Sequence, residues 1–366
     1  MTTQALAQAA TPALDPAKMD AFADTMIGML NAGALALMTS VGHRTGLFDT
    51  MAQMPPATSA EIAARAGLNE RYVREWLGAM ATGGLVDHAH ADQTYHLCGE
   101  HAAFLTRAAT PDNIAAFAQY MAVMGGVEDR IVDCFHNGGG VSYGCYHRFH
   151  EVMAEDSGQT VLASLLEHIL PLAPGLTARL EAGIQVMDIG CGSGRALNLM
   201  ARAFPKSWFT GYDLCEETIA AGRAEADRLG LKNIQFLQRD TSDLDEPATY
   251  DLITAFDAIH DQARPDVVLA AIARALKPGG VFLMQDIGLS SHVHRNMDHP
   301  IAPLIYTIST MHCTSVSLAQ GGAGLGAAWG RELAQDMLAA AGFGDVTVHD
   351  LPHDFQNCYY VARVSA

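Results

Sequence analysis

Apolar positions recur at two different periods along the chain, and the change of period divides it into two parts. From Phe22 to about Val41, and again after Thr58, the spacing is three to four residues, which predicts helices. From Gln185 onward, short apolar runs such as QVMDIG, WFTGYDL and VFLMQDI alternate with amphipathic helical segments. This alternation predicts a parallel sheet with helices on both of its faces.

The first part contains the element order of a winged helix. Ser59 is expected to cap a short helix, Gly67 marks a turn, and a longer helix begins at about Asn69. The apolar face of that longer helix is Val73, Trp76, Leu77 and Met80. Two short strands then follow around a polar turn, Leu85 to His88 and Thr94 to Leu97. Helix, turn, helix and hairpin in this order predict a winged helix.

A winged helix can bind DNA or pair two subunits, and local charge separates these functions. Arg71 and Arg74 lie on the second helix, where a DNA-binding protein would place its cations. Acidic residues next to them, among them Glu70 and Glu75, cancel that charge. Because DNA binding normally needs a net basic face, dimerisation is the favoured role.

Composition and charge narrow the possible partners. The chain has 366 residues, 49% of them hydrophobic, and a formal net charge of -18, so we expect a compact two-domain protein that repels nucleic acid and anionic membranes. Its start lacks a basic segment followed by an apolar stretch, and no run is expected to span a bilayer, which predicts a cytosolic location. Seven cysteines without a C-x-x-C pair favour neither a disulfide framework nor a zinc knuckle.

Changes of pattern suggest the domain boundaries. Residues 1–17 are expected to form a tail, residues 18–107 the winged-helix dimerisation domain, and residues 108–180 a helical linker that covers the active site. One break interrupts this linker at HNGGGVSYGCYHRFHE, where glycines and aromatic residues are too dense for a helix. Residues 181–366 form the sheet domain, and within it residues 289–330 are too long for a plain connection and are expected to be an insertion or lid.

The turn after the first strand of the sheet, in VMDIGCGSGRAL, is the main candidate for a ligand site. Gly190, Gly192 and Gly194 allow positive φ angles and let a ligand approach the backbone, and Cys191 lies among them. A dinucleotide turn would read G-x-G-x-x-G, whereas here Asp188 stands just before the glycines. A carboxylate disfavours phosphate and favours a cation, so the better ligand is S-adenosylmethionine, with its sulfonium and its free amino group.

Further acids follow the next strands of the predicted sheet. Asp213 ends FTGYD and can accept hydrogen bonds from both ribose hydroxyls, and Asp240 in QRDTSD can accept one from the adenine amino group. Each acid alone could equally be a structural cap, but three acids at successive strand ends form a strong signal. The remaining residues assigned to this cofactor site are Leu214, Thr241, Phe256 and Asp257.

On these residues the sequence resembles the class I S-adenosylmethionine-dependent methyltransferases, from about Gln185 to Val364. The resemblance implies an α/β fold with a Rossmann-like seven-stranded sheet whose last strand, NCYYVARV, runs antiparallel. Together with the N-terminal winged helix, the chain looks like small-molecule O-methyltransferases in which that module pairs two subunits. FHEVMAEDS, AFDAIHDQARPD and YTISTMHC look like segments of a bacterial group within this family.

Methyl transfer is an in-line displacement, so the protein mainly aligns the acceptor and excludes water. His260 is the leading candidate for a base, because it follows the fourth strand and Asp261 lies beside it. In the related plant O-methyltransferases a catalytic histidine occupies a similar His-Asp pair followed by tryptophan, whereas Gln262 stands here. A packing or cofactor-lining role for His260 is the alternative.

The acceptor is expected to contact the glycine-rich break and the insertion. The residues assigned to its pocket are Tyr143, Tyr146, His147, His150, Tyr306, His312 and Trp329, and packing explains some of them equally well. The C-x-H-x-x-H spacing of Cys145, His147 and His150, with a later histidine, could bind a metal, but it lacks the spacing of a structural zinc site, so no metal is predicted.

Two functions of different classes remain. The first is a homodimeric S-adenosylmethionine-dependent methyltransferase of a small molecule, with a hydroxyl or a thiol or sulfide favoured as acceptor and an amine as a further option. The second is a transcription regulator that senses the cofactor with this fold and binds DNA with its winged helix. The neutral second helix and the acidic chain favour the enzyme.

Overall fold

The computed structural model describes residues 14–364, and the chain divides after Ala102 into two compact units. Most of the predicted tail, residues 1–13, lies outside the described residues. The first helix already begins at Pro16, inside the segment expected to be a tail, because Asp15 caps it by accepting from the Ala17 amide at 3.0 Å.

The first helix of the N-terminal unit, Pro16–Thr45, has 30 residues and presents a long apolar surface. Its exposed side chains include Met19, Phe22, Met26 and Met29. By length and composition alone this helix could cross a membrane, since an 18-residue window reaches a mean hydropathy of 1.4. The expectation that no run meets this criterion was therefore wrong, because the few charged residues lie near the two ends of the helix and leave an uncharged stretch between Asp24 and Arg44.

The rest of this unit is the predicted winged helix. The helices are Leu47–Met51, Ser59–Ala66, Glu70–Thr82 and Gly99–Leu105, and the antiparallel strands are β1 (Asp87–Ala89) and β2 (Thr94–His96). The cap of helix Ser59–Ala66 is Thr58 rather than Ser59, because Thr58 and Glu61 form a reciprocal capping box. The predicted apolar face of Glu70–Thr82 is buried, and Trp76 donates from Nε1 to the Met38 carbonyl at 2.8 Å.

The second unit begins with short helical segments on both sides of the predicted glycine-rich break. The α-helices of this region are Gln119–Gly125, Glu128–Asn137, Phe149–Ser157 and Leu176–Ala182. The 3₁₀ turns are Arg107–Ala109, Ile114–Ala116, Tyr143–Cys145 and Leu170–Leu172, and the π-helical turns are Gly158–Leu162 and Leu165–Ile169. The break itself runs from Gly138 to Arg148, as the density of glycines predicts.

A seven-stranded sheet forms the centre of this unit. The strands are β3 (Gln185–Ile189), β4 (Trp208–Asp213), β5 (Ile234–Gln238), β6 (Tyr250–Phe256), β7 (Leu276–Ile287), β8 (Phe343–His349) and β9 (Asn357–Val364). Their order is β5-β4-β3-β6-β7-β9-β8, with β9 antiparallel to both of its neighbours. This confirms the Rossmann-like methyltransferase sheet. The connecting helices are Arg195–Ala203, Glu216–Arg228, Pro265–Ala275 and Gly330–Ala340, and Thr241–Asp243 is a 3₁₀ turn.

The long segment after β7 is helical and packed. It contains a 3₁₀ turn (Val293–Arg295), helix Ala302–Ile308, a π-helical turn (Ser309–Cys313) and helix Thr314–Ala319. Ile305, Cys313 and Ala327 from this segment form a small hydrophobic cluster with Ile287 and Leu289 at the end of β7. The segment therefore contributes side chains next to the carboxyl edge of the sheet.

Gly194 joins the turn after β3 to helix Arg195–Ala203. Its φ angle is +66°, and a Cβ atom at this position would overlap the ring of Phe236. Two separate constraints, one on backbone conformation and one on packing, therefore favour glycine here.

We predict that Gly194→Ala lowers the free energy of unfolding by about 2–4 kcal/mol, because it combines left-handed strain with overpacking. Gly230→Ala is the matched control, since Gly230 has a φ of +69° and open space around it, and strain alone should cost roughly 1–2 kcal/mol. Urea unfolding followed by circular dichroism measures both. Equal losses in the two variants would show that the Phe236 contact has no effect.

Candidate active site

A cavity of about 400 Å³ opens at the carboxyl edge of the sheet. Strand β3 lies between β4 and β6. The strands that follow β3 in sequence first extend the sheet on the β4 side and then, from β6 onward, on the opposite side. Such a reversal of strand order leaves a crevice beyond the strand ends, which is where ligands bind in open α/β sheets. The cavity lies at this point, lined by the turn after β3 and by the ends of β4 and β6.

The glycine turn is tied to the end of the neighbouring strand. The Gly192 amide donates to Asp213 Oδ2 at 2.8 Å, and the Cys215 amide donates to Asp213 Oδ1 at 2.8 Å. Each carboxylate oxygen can accept a second hydrogen bond, so Asp213 can hold the turn and still contact a ligand.

Asp188 lies at the base of this turn and is buried. Thr254 donates from its hydroxyl to Asp188 Oδ1 at 2.6 Å. Burial raises the pKa of Asp188 to about 7, and the Thr254 hydrogen bond only partly opposes this rise. A cation bound in the cavity would favour the ionised form of this carboxyl group.

Most of the predicted cofactor residues line the cavity. They are Asp188, Gly190, Cys191, Gly192, Asp213, Leu214, Thr241, Phe256 and Asp257. Gly194 and Asp240 do not line it. Gly194 packs against Phe236, and Asp240 is exposed and accepts from the Ser242 amide at 2.8 Å as the cap of a 3₁₀ turn. Contacts of these two residues with a ligand stay predictions.

A second, smaller cavity of about 50 Å³ adjoins the first. Phe149, Met153, Asp257 and Asp261 line both cavities. The other walls of the smaller cavity are mainly apolar and come from Phe117, Tyr120, Ile287, Leu304, Ile305, Ile308 and Ala327. The arrangement offers one space for a large ligand and an adjacent, drier space for a small one.

Asp257 stands at the junction of the two cavities. Its backbone has a positive φ of 49°, and Gln285 donates from Nε2 to Asp257 Oδ1 at 2.9 Å. Burial raises the pKa of Asp257 well above its usual range, and the nearby Asp286 adds to this effect. A positive charge bound nearby would oppose this rise and favour the ionised carboxylate.

His260 lines the smaller cavity and does not line the larger one. Its Nδ1 lies 2.8 Å from Asp286 Oδ1, the same oxygen that accepts from Trp329 Nε1 and the Ile287 amide. Burial alone would lower the pKa of His260, but Asp286 and Asp261 raise it well above its usual value. With Nδ1 held against Asp286, Nε2 is the ring nitrogen that faces Asp261.

Asp261 connects His260 to the glycine-rich break. Tyr143 donates from its hydroxyl to Asp261 Oδ2 at 3.1 Å, and His260 Nε2 lies 3.3 Å from Asp261 Oδ1. Cys313 is buried beside them, and burial raises the pKa of its thiol to about 12. Three chemically different side chains thus meet at the wall of the smaller cavity.

The predicted acceptor residues divide into three groups. Tyr143 and His150 line the larger cavity. Tyr146 and His312 line neither cavity, but the His312 ring stacks on Phe149, which lines both, and the Tyr146 hydroxyl donates to the Met311 carbonyl at 2.5 Å. Burial lowers the pKa of His312 to about 4.

The remaining three predicted acceptor residues line neither cavity. His147 is exposed. The Tyr306 hydroxyl accepts from Asn296 Nδ2 at 3.0 Å, and the Trp329 indole is held by Asp286. These contacts give Tyr306 and Trp329 packing and positioning roles.

Several site residues were missed at the sequence level. Asp286 orients His260, Phe149 and Met153 separate the cavities, and Thr254 holds Asp188. Asp286 could have been found, since it ends VFLMQDI as Asp213 ends FTGYD. The other three residues carry no local signal, because their roles depend on packing between distant segments.

Two families match separate parts of the chain. Residues 33–107 match the Rv2258c-like winged HTH domain, and residues 180–341 match a methyltransferase domain. A fatty-acid O-methyltransferase from Mycolicibacterium smegmatis is 36% identical over 105 residues, which are 28% of this chain and 37% of that protein. A trans-aconitate 2-methyltransferase from an Acidovorax species is 29% identical over 175 residues, 47% of this chain and 63% of that protein. The chain thus spans less than two thirds of these relatives.

Solved structures share the fold over nearly the whole chain. Human N-acetylserotonin methyltransferase in complex with S-adenosylmethionine has a TM-score of 0.68 at 18% identity, covering 97% of this chain and 100% of that one. The mitomycin 7-O-methyltransferase MmcR has a TM-score of 0.66 at 18% identity, covering 96% and 100%. At this identity the likeness establishes the fold.

The raised pKa of Asp188 predicts a pH-dependent effect of Asp188→Asn. The folded state holds the Asp188 proton more tightly than the unfolded state, so ionisation destabilises the protein increasingly as pH rises from about 4 to about 7. The Asp188→Asn variant lacks this penalty. Its free energy of unfolding relative to the parent protein should therefore rise by ~2–4 kcal/mol over that range. Urea unfolding at pH 5, 6, 7 and 8 tests this, and a difference independent of pH would contradict the raised pKa.

Proposed function

We infer that this chain is an S-adenosylmethionine-dependent methyltransferase of a small molecule. Its residues 33–107 match the Rv2258c-like winged HTH domain, and its residues 180–341 match a methyltransferase domain. One observation carries the proposal: a buried acid, Asp188, lies under a glycine turn that Asp213 ties to the next strand, at the reversal point of the sheet.

The charges around the larger cavity fit this cofactor. Asp188 and Asp213 can face an amino group and hydroxyl groups. Of the two arginines that line the cavity, Arg239 pairs with Glu246 at 2.8 Å, and Arg195 donates to the Ala154 carbonyl. The carboxylates at the glycine turn would repel a pyrophosphate, which disfavours a dinucleotide.

The smaller cavity is where we place the acceptor. When bound, the cofactor supplies a methyl group activated by a sulfonium. The apolar walls around Phe149 and Met153 exclude water and align the acceptor with the larger cavity, while Asp257 and Asp261 face both spaces. We favour an acceptor with a small apolar body and a hydroxyl or a thiol or sulfide, with an amine as a further option.

The transcription-regulator alternative is not favoured. On the second helix of the winged helix, Arg74 pairs with Glu70 at 2.7 Å, and Arg71 pairs with Glu75. These ion pairs neutralise the cations that would contact phosphate groups, on a chain whose net charge is -18. A cytosolic enzyme without a nucleic-acid partner is the proposal that fits this charge.

We further propose that the enzyme is a homodimer formed through helix Pro16–Thr45. Met19, Phe22, Met26 and Met29 are exposed and recur at the spacing of three and four residues that lets two helices pack together. At 1.5 Å per residue the helix is about 45 Å long, enough for an extensive interface. Pairing with a second copy would remove this surface from water without a membrane.

Measurements of cofactor binding and of methyl transfer together test the proposed activity. Calorimetry should show one S-adenosylmethionine bound per chain and no binding of NADH. Asp213→Asn should weaken binding by about 10–100-fold, because hydrogen bonds to a charged group contribute roughly 1.5–3 kcal/mol. Asp345→Asn, a change of an exposed carboxylate paired with Arg363, is the control and should bind normally. Labelled cofactor with small phenols, thiols and amines then identifies the acceptor class. Preferential binding of NADH would refute the proposal.

Charge substitutions on the first helix test the dimer. Phe22→Glu combined with Met26→Glu should give a monomer in sedimentation velocity, because two carboxylates per chain would be buried in the interface. Asp24→Lys changes charge at a neighbouring position outside the apolar stripe and should remain dimeric. A monomeric parent protein that partitions into neutral phospholipid vesicles would show instead that lipid covers this helix.

A further inference from the structure

Three side chains with different ligand atoms converge on the wall of the smaller cavity. His260 and Asp261 follow β6, and Cys313 ends the π-helical turn Ser309–Cys313. A ring nitrogen of His260, a carboxylate oxygen of Asp261 and the Cys313 sulfur all lie within 4.8 Å of one another. All three residues line the cavity in which we place the acceptor.

One buried carboxylate oxygen of this cluster lacks a hydrogen-bond partner. His260 Nε2 and Asp261 Oδ1 are 3.3 Å apart, yet Asp261 Oδ1 has no hydrogen-bond partner among the described residues. Two ligand atoms held at about 2.0–2.2 Å by one tetrahedral ion would be about 3.4 Å apart. The separation in the structure is therefore the one that a shared ion requires.

A buried histidine next to this cluster also lacks partners. His312 is fully buried, and within residues 14–364 neither of its ring nitrogens has a hydrogen-bond partner. Its Nδ1 lies 3.9 Å from Asp261 Oδ2. An unpartnered buried imidazole is costly, and a bound water, ligand or ion next to the ring would remove that cost.

Neighbouring side chains hold His260 and Asp261 in place, as is common around metal ligands. His260 Nδ1 contacts Asp286, which is itself fixed by the Trp329 indole, and Tyr143 donates to Asp261 Oδ2. Metal-binding histidines commonly donate their second ring nitrogen to a carboxylate, which sets the tautomer and the ring orientation. Both first ligands are therefore oriented before any ion binds.

We propose that His260, Asp261 and Cys313 bind one zinc ion, with His312 next to it and an open coordination position toward the smaller cavity. A mixed nitrogen, oxygen and sulfur set suits zinc, and three protein ligands with an open position are the arrangement of catalytic zinc sites. The Asp261 carboxylate and the Cys313 thiolate would balance the two positive charges of the ion.

The role that we give to the zinc ion rests on the proposed methyltransferase activity, because the ion would activate the methyl acceptor. A zinc ion held by these three residues would lower the pKa of the acceptor's hydroxyl or thiol at the open position, so that the acceptor could give up its proton to bulk solvent. Its oxygen or sulfur then forms a bond to the methyl carbon while the bond from carbon to the sulfonium breaks, and the electron pair stays on the sulfur. His260 thus acts as a ligand instead of a base.

Metal content and spectroscopy test the site independently of activity. The full chain, purified without chelator and dialysed against micromolar zinc, should retain one zinc per chain by elemental analysis. Cobalt in place of zinc should give a thiolate-to-metal charge-transfer absorption band. Cys313→Ser should abolish this band, whereas Cys134→Ser, which alters a partly buried thiol in another cluster, should keep it.

The carboxylate behind His260 provides a second test. Asp286→Asn should weaken zinc binding by about 10–100-fold, as expected for a group that orients a ligand. A parent protein that binds no zinc or cobalt, or a Cys313→Ser variant that keeps the band, would overturn the proposal. Calorimetry with S-adenosylmethionine in the presence of chelator separates the two proposals, because cofactor binding should persist when zinc is removed.

Discussion

The hydrogen bond from the Gly192 amide to Asp213 is the interaction on which the site depends. It joins the turn after β3 to the end of β4 and so sets the floor of the larger cavity. The same carboxylate accepts from the Cys215 amide, which positions the start of the next helix. One half-buried side chain thereby determines where two loops lie, and both loops line the space that we assign to the cofactor.

Acids gather at this edge because parallel strands end together. Asp188, Asp213, Asp257 and Asp286 follow or end strands of one sheet, and burial raises the pKa of Asp188 and of Asp257. Concentrated carboxyl groups in a poorly solvated space are costly when they are ionised and unpaired. The cost falls when a positive charge arrives, so the same edge suits a sulfonium in one cavity and a metal cation in the other.

Much of the fold and of the larger cavity could be predicted from local patterns. The winged helix, the seven-stranded sheet with its antiparallel last strand and the glycine turn depend on periodicity and on residues close in sequence. Two predictions were wrong, one about a helix cap and one about the apolar character of a helix. Thr58 replaces Ser59 as a cap because Glu61 pairs with it, and the apolar character of helix Pro16–Thr45 was underestimated because scattered polar residues interrupt it.

The sequence by itself determined the class of fold and the position of the cofactor turn, because strand-ending acids and glycines act through their immediate neighbours. Only the tertiary structure decided the surroundings of His260. It placed Asp286 against Nδ1 of the ring and Cys313 beside the same ring, although Cys313 lies in a separate insertion. The physical reason is that packing of the insertion against the end of β7 brings these groups together, and no spacing along the chain encodes that contact.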